Sequence, residues 1–323
     1  LVRDTDGDYR VDDFKPKLFY PASQETEWRT PGDTHYLSPI SYNSIKEFKD
    51  VLWQKKKQSG KIYGDKNPLV QFMFDRYPQE CKTDFSKIKV FNIDIEVDVE
   101  KGFPEAHLAE WPINAITIKC DGINYVWGLP KGDDDTFETE RDDVDYREFE
   151  SERDLVRNLV QFVEFLGIAR LDYLNLYKKF VLQPVENYKL DTIGEVELGI
   201  KKLDYSDYGS LKNLYRKNYQ LFIEYNIKDV EIVEGIDKKR NLLRLAVTLA
   251  NFGKVNYEDV TSPIRTWEST IYHHLMNQKI VPELKLRMQK KDETFKGAFV
   301  IPPVIGMHKW ILSEDFDSLY PKI

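Results

Sequence analysis

Cysteine, long apolar runs and positive charge are all in short supply in this chain, and each shortage removes a class of protein. Two cysteines, Cys81 and Cys120, occur in 323 residues. That is too few for a disulfide framework or a thiolate metal cluster, and a reducing intracellular setting fits such usage. No apolar stretch approaches the roughly 20 residues of a bilayer-spanning helix, so no membrane partner is expected. The opening residues, Leu1 to Asp8, are polar and carry no signal-peptide pattern. With no initiator methionine, the chain reads as a fragment. Lysine and arginine total 47 against 55 aspartates and glutamates, a net charge of −8. That balance argues against broad, nonspecific nucleic-acid binding, though not against local basic patches. It also suits a protein that gathers carboxylates around divalent metals.

What remains is globular: 41% hydrophobic and 32% charged residues lie well outside the disordered range. The length allows two or three compact domains. The segment up to about Lys87 is rich in turns and aromatics, and its basic stretch at Lys55, Lys56, Lys57 and Lys61 reads as a solvated helix end. From Ile88 the pattern changes to strand-like alternation through Val97. One face of that strand carries Phe91, Ile93, Ile95 and Val97; the other carries Asn92, Asp94 and Glu96. Two further apolar runs, 115–120 and 123–129, flank Asp121-Gly122, a strong signal for a two-residue hairpin.

Eight acidic residues between 131 and 145 read as a solvated loop. Ser151-Glu152-Arg153-Asp154 has the form of a capping box and opens an amphipathic helix with Leu155, Leu159, Phe162 and Val163 inward. A long helix is predicted from about Leu221 to Leu249, with an apolar stripe at Ile223, Ile227, Val230, Val233 and Ile236. Ser262-Pro263 starts another helix. His273 and His274 lie on it, but adjacent helical residues face different ways, so no shared metal is expected.

The chemistry is concentrated in two places. Asp94 and Glu96, one residue apart on a strand, leave the same face. Two adjacent anions repel, and a hard divalent cation such as Mg²⁺ or Mn²⁺ relieves the repulsion. Tyr225 and Asp229, four apart on a helix, also share a side, and a helix packed on the sheet can bring Asp229 to the strand carboxylates. The plainer alternatives are acidic residues on a sheet edge, an amphipathic tyrosine at a helix–sheet junction and a surface aspartate.

Together, D-I-E on a strand and Y-x-x-x-D on a later helix resemble the first and third motifs of the DEDD-type 3′–5′ exonucleases. Near the end of the chain, Asp315-Phe316-Asp317-Ser318-Leu319-Tyr320-Pro321 resembles motif A of family B DNA polymerases. Smaller segments are similar to the T-even-type bacteriophage branch: Lys101-Gly102-Phe103-Pro104, Leu171-Asp172-Tyr173, Leu176 to Phe180, Ser262-Pro263-Ile264 with Thr266-Trp267, and Gly297-Ala298-Phe299-Val300.

The resemblance implies an α/β fold of several α+β domains. An N-terminal domain would cover 1–87 and a ribonuclease H-like exonuclease domain with a mixed sheet and flanking helices 88–242. A return segment to the N-terminal domain would cover 243–286, and the start of the polymerase palm 287–323. It further implies proofreading removal of 3′-terminal nucleotides from single-stranded or frayed primer DNA by two divalent ions. Asp94 would bridge the two ions, with Glu96 and Asp229 as further ligands and Tyr225 orienting the attacking water or the scissile phosphate. Phe103 would wedge against bases near the 3′ end, and Gly297 would lie near the template. Asp315 would bind the polymerase metals and Tyr320 the sugar of an incoming dNTP. Implied partners are primer–template DNA, a sliding clamp and other replisome proteins, in the cytoplasm of an infected bacterial host.

Two departures stand out. Lys322 follows Pro321 where the family usually has serine. The second exonuclease motif, which supplies another aspartate ligand, is missing: Phe165 runs directly into Leu166 where relatives have several dozen residues. Asp172 belongs to the L-D-Y segment and cannot replace it. As given, the chain is expected not to polymerise DNA, and without that ligand its exonuclease would be impaired. Two alternatives stay open. One is a non-catalytic DNA-binding or replication module, or half of a split polymerase. The other is a free-standing exonuclease on RNA or oligonucleotides, against which the motif A tail argues.

Overall fold

The structure, a computed structural model, describes residues 2–3, 9–10, 13–55, 61–78, 83–99, 108–132, 136–166, 169–284, 301–302 and 304–312. It divides into two units, 1–284 and 285–323. In the second, the described residues 301–302 and 304–312 are irregular.

The first unit begins with a two-stranded pair, β1 (Val2–Arg3) and β2 (Tyr9–Arg10). A three-stranded antiparallel sheet follows, in which β5 (Tyr36–Ser41) lies between β3 (Lys17–Pro21) and β4 (Trp28–Arg29). Helices α1 (Ile45–Lys55) and α2 (Pro68–Arg76) come next. Asn67 caps α2 by accepting from the Leu69 N–H, with Pro68 in the first turn, where its missing N–H costs nothing.

The second sheet has strands β6 (Asn92–Val97), β7 (Ile113–Cys120), β8 (Ile123–Gly128) and β9 (Val144–Glu148), in that spatial order. The first two pairings are antiparallel and the third is parallel, so the sheet is mixed. The expected hairpin is present: Asp121 and Gly122 both take positive φ, 50° and 85°, as a tight two-residue turn requires.

Helix α3 (Glu152–Leu166) packs Leu155, Val156, Leu159 and Phe162 on one face of this sheet, against Ile116, Ile118 and Trp127. Then come α4 (Tyr173–Phe180), α5 (Leu190–Leu198) and α6 (Leu211–Lys217). Helix α7 (Tyr219–Arg240) covers the other face, burying Phe222, Ile223 and Ile227 against Ala115 and Val126. Each such side chain contributes roughly 1.5–3 kcal/mol.

The long helix predicted over 221–249 is two helices. It breaks at Asn241, which adopts a left-handed conformation (φ 54°, ψ 35°) before α8 (Leu242–Gly253) begins. Asparagine tolerates that region better than most residues, which is how the chain turns without glycine. The remaining helix, α9 (Pro263–Asn277), starts at Ser262 as expected. Tyr272 and Met276 on it join Phe19, Leu37 and Tyr63 in a common core. Just beyond, Ile280 bridges Arg29 and Glu283 bridges Tyr63. His273 contacts the Val70 carbonyl and His274 contacts Gln278, so the two diverge.

Helices α5 and α7 approach closely because Gly194 and Gly235 present no side chain. A Cβ at Gly194 would lie 3.0 Å from Ile232, and one at Gly235 2.8 Å from Leu198. Their junction is locked by Glu197, whose carboxylate accepts from Tyr177 Oη at 2.7 Å and from Arg240 Nε at 2.8 and 2.9 Å. Burial works against this charge, but the bonds from Arg240, Tyr177 and Lys239 prevail and pull its pKa down to about 2. A lowered carboxylate pKa gives stability that is complete above the ordinary value and lost as pH falls toward the native one. Glu197→Gln is therefore expected to cost about 2 kcal/mol at neutral pH. It should also flatten the loss of stability between about pH 4.5 and 2, as measured by urea unfolding across that range.

Candidate metal centre

The carboxylates of β6 reach the inside of the fold. Asp94 lies opposite Thr117 and Glu96 opposite Ala115 on β7, and both point toward α7. Strand alternation shows which residues share a face, and here the polar face is the enclosed one. Ile93 and Ile95 on the other face are exposed (49% and 40%). From α7, Asp229 projects to meet the strand. Asp94, Glu96 and Asp229 each offer an oxygen within 4.8 Å of the others, and they form the only such group of three or more among the described residues. At that spacing each pair of like charges costs on the order of 3 kcal/mol at an effective dielectric constant near 20.

Two neighbours that spacing did not point to, Asn226 and Lys202, hold the trio in place. Asn226, fully buried, donates from Nδ2 to Asp94 Oδ2 at 2.7 Å and accepts from the Thr117 hydroxyl. It lies inside the Tyr-x-x-x-Asp segment, so a buried amide on a helix enclosed from two sides was the available signal. Lys202 gave none; it follows α5 in an ordinary basic pair. Its backbone N–H is fixed by Asp191 Oδ1 at 2.9 Å. Its ammonium donates to Tyr225 Oη at 2.8 Å and to Asp229 Oδ2. Tyr225 stands in edge contact with Tyr205, ring centroids 5.4 Å apart.

Burial raises all three carboxyl pKa values. Glu96 is pushed furthest, to about 8, because Asp94 and Asp229 add their repulsion to desolvation. Asp229 rises to about 6, with Lys202 opposing the shift. Asp94 rises too, against Lys202 and Asn226. Tyr225 is pushed by burial and by Asp229 to about 12, so it keeps its proton at neutral pH. Burial works against the Lys202 charge, but Asp229 and Tyr225 lift its pKa above the ordinary value.

A hard divalent cation fits this donor set. All three donors are oxygens, and one lysine cannot neutralise three carboxylates. Asp229 Oδ1 is buried without a hydrogen-bond partner, while Oδ2 is taken by Lys202. Beyond Glu96, Asp98 is closed off by Lys131 (3.1 Å), Lys212 (3.7 Å) and Arg216 (3.8 Å). Asp172 caps α4 by accepting from the Asn175 N–H and takes no part. Phe103, Gly297, Asp315 and Tyr320 fall outside the described residues.

No family model matches the chain. The DNA-directed DNA polymerase of Escherichia phage RB69 is 28% identical over 397 residues, covering 96% of this chain and 43% of that protein. The chain is thus similar to the DNA polymerases of T4-type phages. The DNA-directed DNA polymerase of Enterobacteria phage T4 is 26% identical over 392 residues, with the same two coverages. DNA polymerase 1 of Sulfolobus acidocaldarius is 24% identical over 81% of the chain. The chain thus spans under half the length of these phage relatives. The RB69 match runs over 397 residues although the whole chain has 323, so that polymerase carries residues inside the matched stretch that have no counterpart here.

Because Glu96 titrates near 8 in the metal-free protein, a metal binding at pH 7 must displace a proton. Mn²⁺ titration calorimetry in buffers of different ionisation enthalpy should show proton release at pH 7 that disappears above about pH 9. Without metal, the raised Glu96 pKa gives stability that is complete below its ordinary 4.5 and lost as pH rises through about 8. Buffer-independent heats at pH 7 would contradict this account of the site.

Proposed function

We propose that the chain is the N-terminal and exonuclease portion of a phage DNA polymerase, removing nucleotides from DNA 3′ ends with divalent metal. The observation that carries this reading is the convergence of Asp94, Glu96 and Asp229 within 4.8 Å, in a relative of phage DNA polymerases. In this reading residues 1–87 with 243–286 form the N-terminal domain, 88–242 the exonuclease and 287–323 the start of the palm. Primer–template and single-stranded DNA are the partners. A dNTP at Asp315 and Tyr320, clamp and replisome contacts, and the cytoplasm of an infected host belong to the same reading of the parent enzyme. No helix among the described residues is long and apolar enough to cross a membrane.

Asp94, Glu96 and Asp229 are the residues to hold Mg²⁺ or Mn²⁺. Such ions supply an activated water and stabilisation of the departing 3′ oxygen. The chain's own groups do the positioning. Asn226 fixes Asp94 Oδ2 and leaves its other oxygen for a cation. Lys202 occupies Asp229 Oδ2 and leaves Oδ1. Tyr225 receives a hydrogen bond from Lys202 and keeps its own proton. Its hydroxyl is therefore set to donate to a phosphate oxygen or to the attacking water, and not to act as a base. The geometry also leaves room for a second reading. The same three carboxylates, two on the edge strand β6 and one on α7, also suit a DNA-binding module without turnover.

An assay on 5′-labelled single-stranded DNA with Mg²⁺ separates the two. Stepwise shortening is expected, lost by at least about 100-fold in Asp94→Ala and lowered about 10- to 100-fold with unchanged Mn²⁺ affinity in Tyr225→Phe. DNA binding with no shortening at any metal concentration would establish the module instead.

A further inference from the structure

A basic cluster adjoins the metal centre at the end of β6. Asp98, one residue past the strand, is tied toward β7 by its N–H, which donates to the Pro112 carbonyl at 2.9 Å. Its side chain is only 10% exposed, and three cations converge on it. Lys131, on the loop after β8, donates to Oδ2 at 3.1 Å. Lys212 and Arg216, four apart on α6, share a side of that helix and stand 3.7 and 3.8 Å from the carboxylate. The metal centre sets three carboxylates against one ammonium. Here, among the described residues, three cations meet one carboxylate.

Asp98 does not use up these charges. At 3.8 Å, Arg216 is beyond hydrogen-bond reach of it. Among the described residues the Arg216 guanidinium, a fork of five N–H donors, donates no hydrogen bond. The side chains of Lys131 and Arg216 are 44% and 48% exposed, so both are open to a ligand from solvent. Lys212 lies deeper, between Asp98 and the Trp111 ring, 6.0 Å from its centroid. Lys131 is steadied over the Tyr215 ring, 5.1 Å from its centroid. A guanidinium fork beside an ammonium suits a phosphate.

Service as counter-charge for Asp94, Glu96 and Asp229 is a poorer account. A cation with that duty sits on the carboxylates, as Lys202 does, and these three turn to Asp98 instead. Position favours a phosphate of a nucleic-acid strand. Asp98 follows Glu96 by two residues, which backbone spans in at most about 7 Å. Neighbouring phosphates of an extended single strand are separated on the same scale.

We propose that Lys131 and Arg216 bind the phosphate next to the scissile one, in a single DNA strand whose 3′ end lies at the metal centre. Asp98 and Lys212 hold the two side chains in place. The identity of the ligand rests on the exonuclease reading, but the binding itself requires no turnover. Such a contact positions the strand by charge and carries no sequence preference.

The test is binding of a short 5′-fluorescent oligothymidylate to the full chain, followed by anisotropy with Ca²⁺, which also takes oxygen ligands. An uncharged methylphosphonate is placed at one linkage at a time. In the wild-type chain, replacing the linkage next to the 3′-terminal one is expected to weaken binding about tenfold, and linkages farther from the 3′ end should matter little. The double variant Lys131→Gln, Arg216→Gln should bind the unmodified strand about tenfold more weakly and ignore a methylphosphonate at that linkage. Its log affinity should fall less steeply with log salt, by about 0.7, the share of one phosphate. A wild-type scan in which that linkage matters no more than those farther from the 3′ end overturns the proposal, whatever the variant does. So does a double variant that keeps the wild-type salt slope or still responds to the modified linkage. A double variant that gains Mn²⁺ affinity with unchanged DNA binding marks the cations as counter-charge and overturns it as well. Linkage-specific binding by a chain that never shortens DNA in Mg²⁺ counts against the nuclease reading alone. Shortening without linkage-specific binding counts against this inference alone.

Discussion

Three carboxylates held within 4.8 Å of one another are an electrostatic load that the surrounding four-stranded sheet and its covering helices are built to carry. Each arrives on an element that cannot easily retreat. Asp94 and Glu96 are fixed by the pairing of β6 with β7, and Asp229 by a helix buried on two sides. The protein's own relief is partial. One ammonium, from Lys202, reaches one oxygen of Asp229, and the remaining repulsion appears as raised pKa values, most of all at Glu96. A site that keeps protons it would rather exchange for a cation is poised for metal.

The scaffold around this load explains itself in the same terms. Helix α7 must lie flat on the sheet to deliver Tyr225, Asn226 and Asp229 together, so it ends at Asn241 and the chain turns away into α8. Gly194 and Gly235 let α5 close on α7, and Glu197 ties the pair through Arg240. That closure matters for the site because Asp191 on α5 holds the Lys202 backbone. A chain of contacts thus runs from a buried salt bridge far along α7 to the ammonium beside Asp229.

Much of this was legible in the residues. The alternation around Asp94 and Glu96, the Asp-Gly turn and the Ser-Pro helix start all rest on local backbone chemistry, and each appeared where expected. The pairing of Tyr225 with Asp229 followed from helical spacing. What could not be read depended on tertiary contact. Lys202 reaches the site only because α5 packs on α7. Alternation revealed two faces of β6 but not which one would be enclosed, and the apolar face of Ile93 and Ile95 proved to be the open one. The break at Asn241 was hidden because apolar residues continue on both sides of it. The RB69 match, longer than the chain itself, shows that the phage polymerase carries residues with no counterpart here.

The exposed edge and the crowded carboxylates are two sides of one strand. On the inner side charge is concentrated to the limit that burial allows; on the outer side apolar surface is left uncovered. The account stands on the inner side. Anomalous diffraction from crystals soaked in Mn²⁺ measures it directly. The account predicts a manganese peak bound by Asp94, Glu96 and the Oδ1 oxygen of Asp229, with Lys202 still on Oδ2. Saturating Mn²⁺ that leaves this cluster without a peak, or an equal peak in the Asp94→Ala variant, would contradict it.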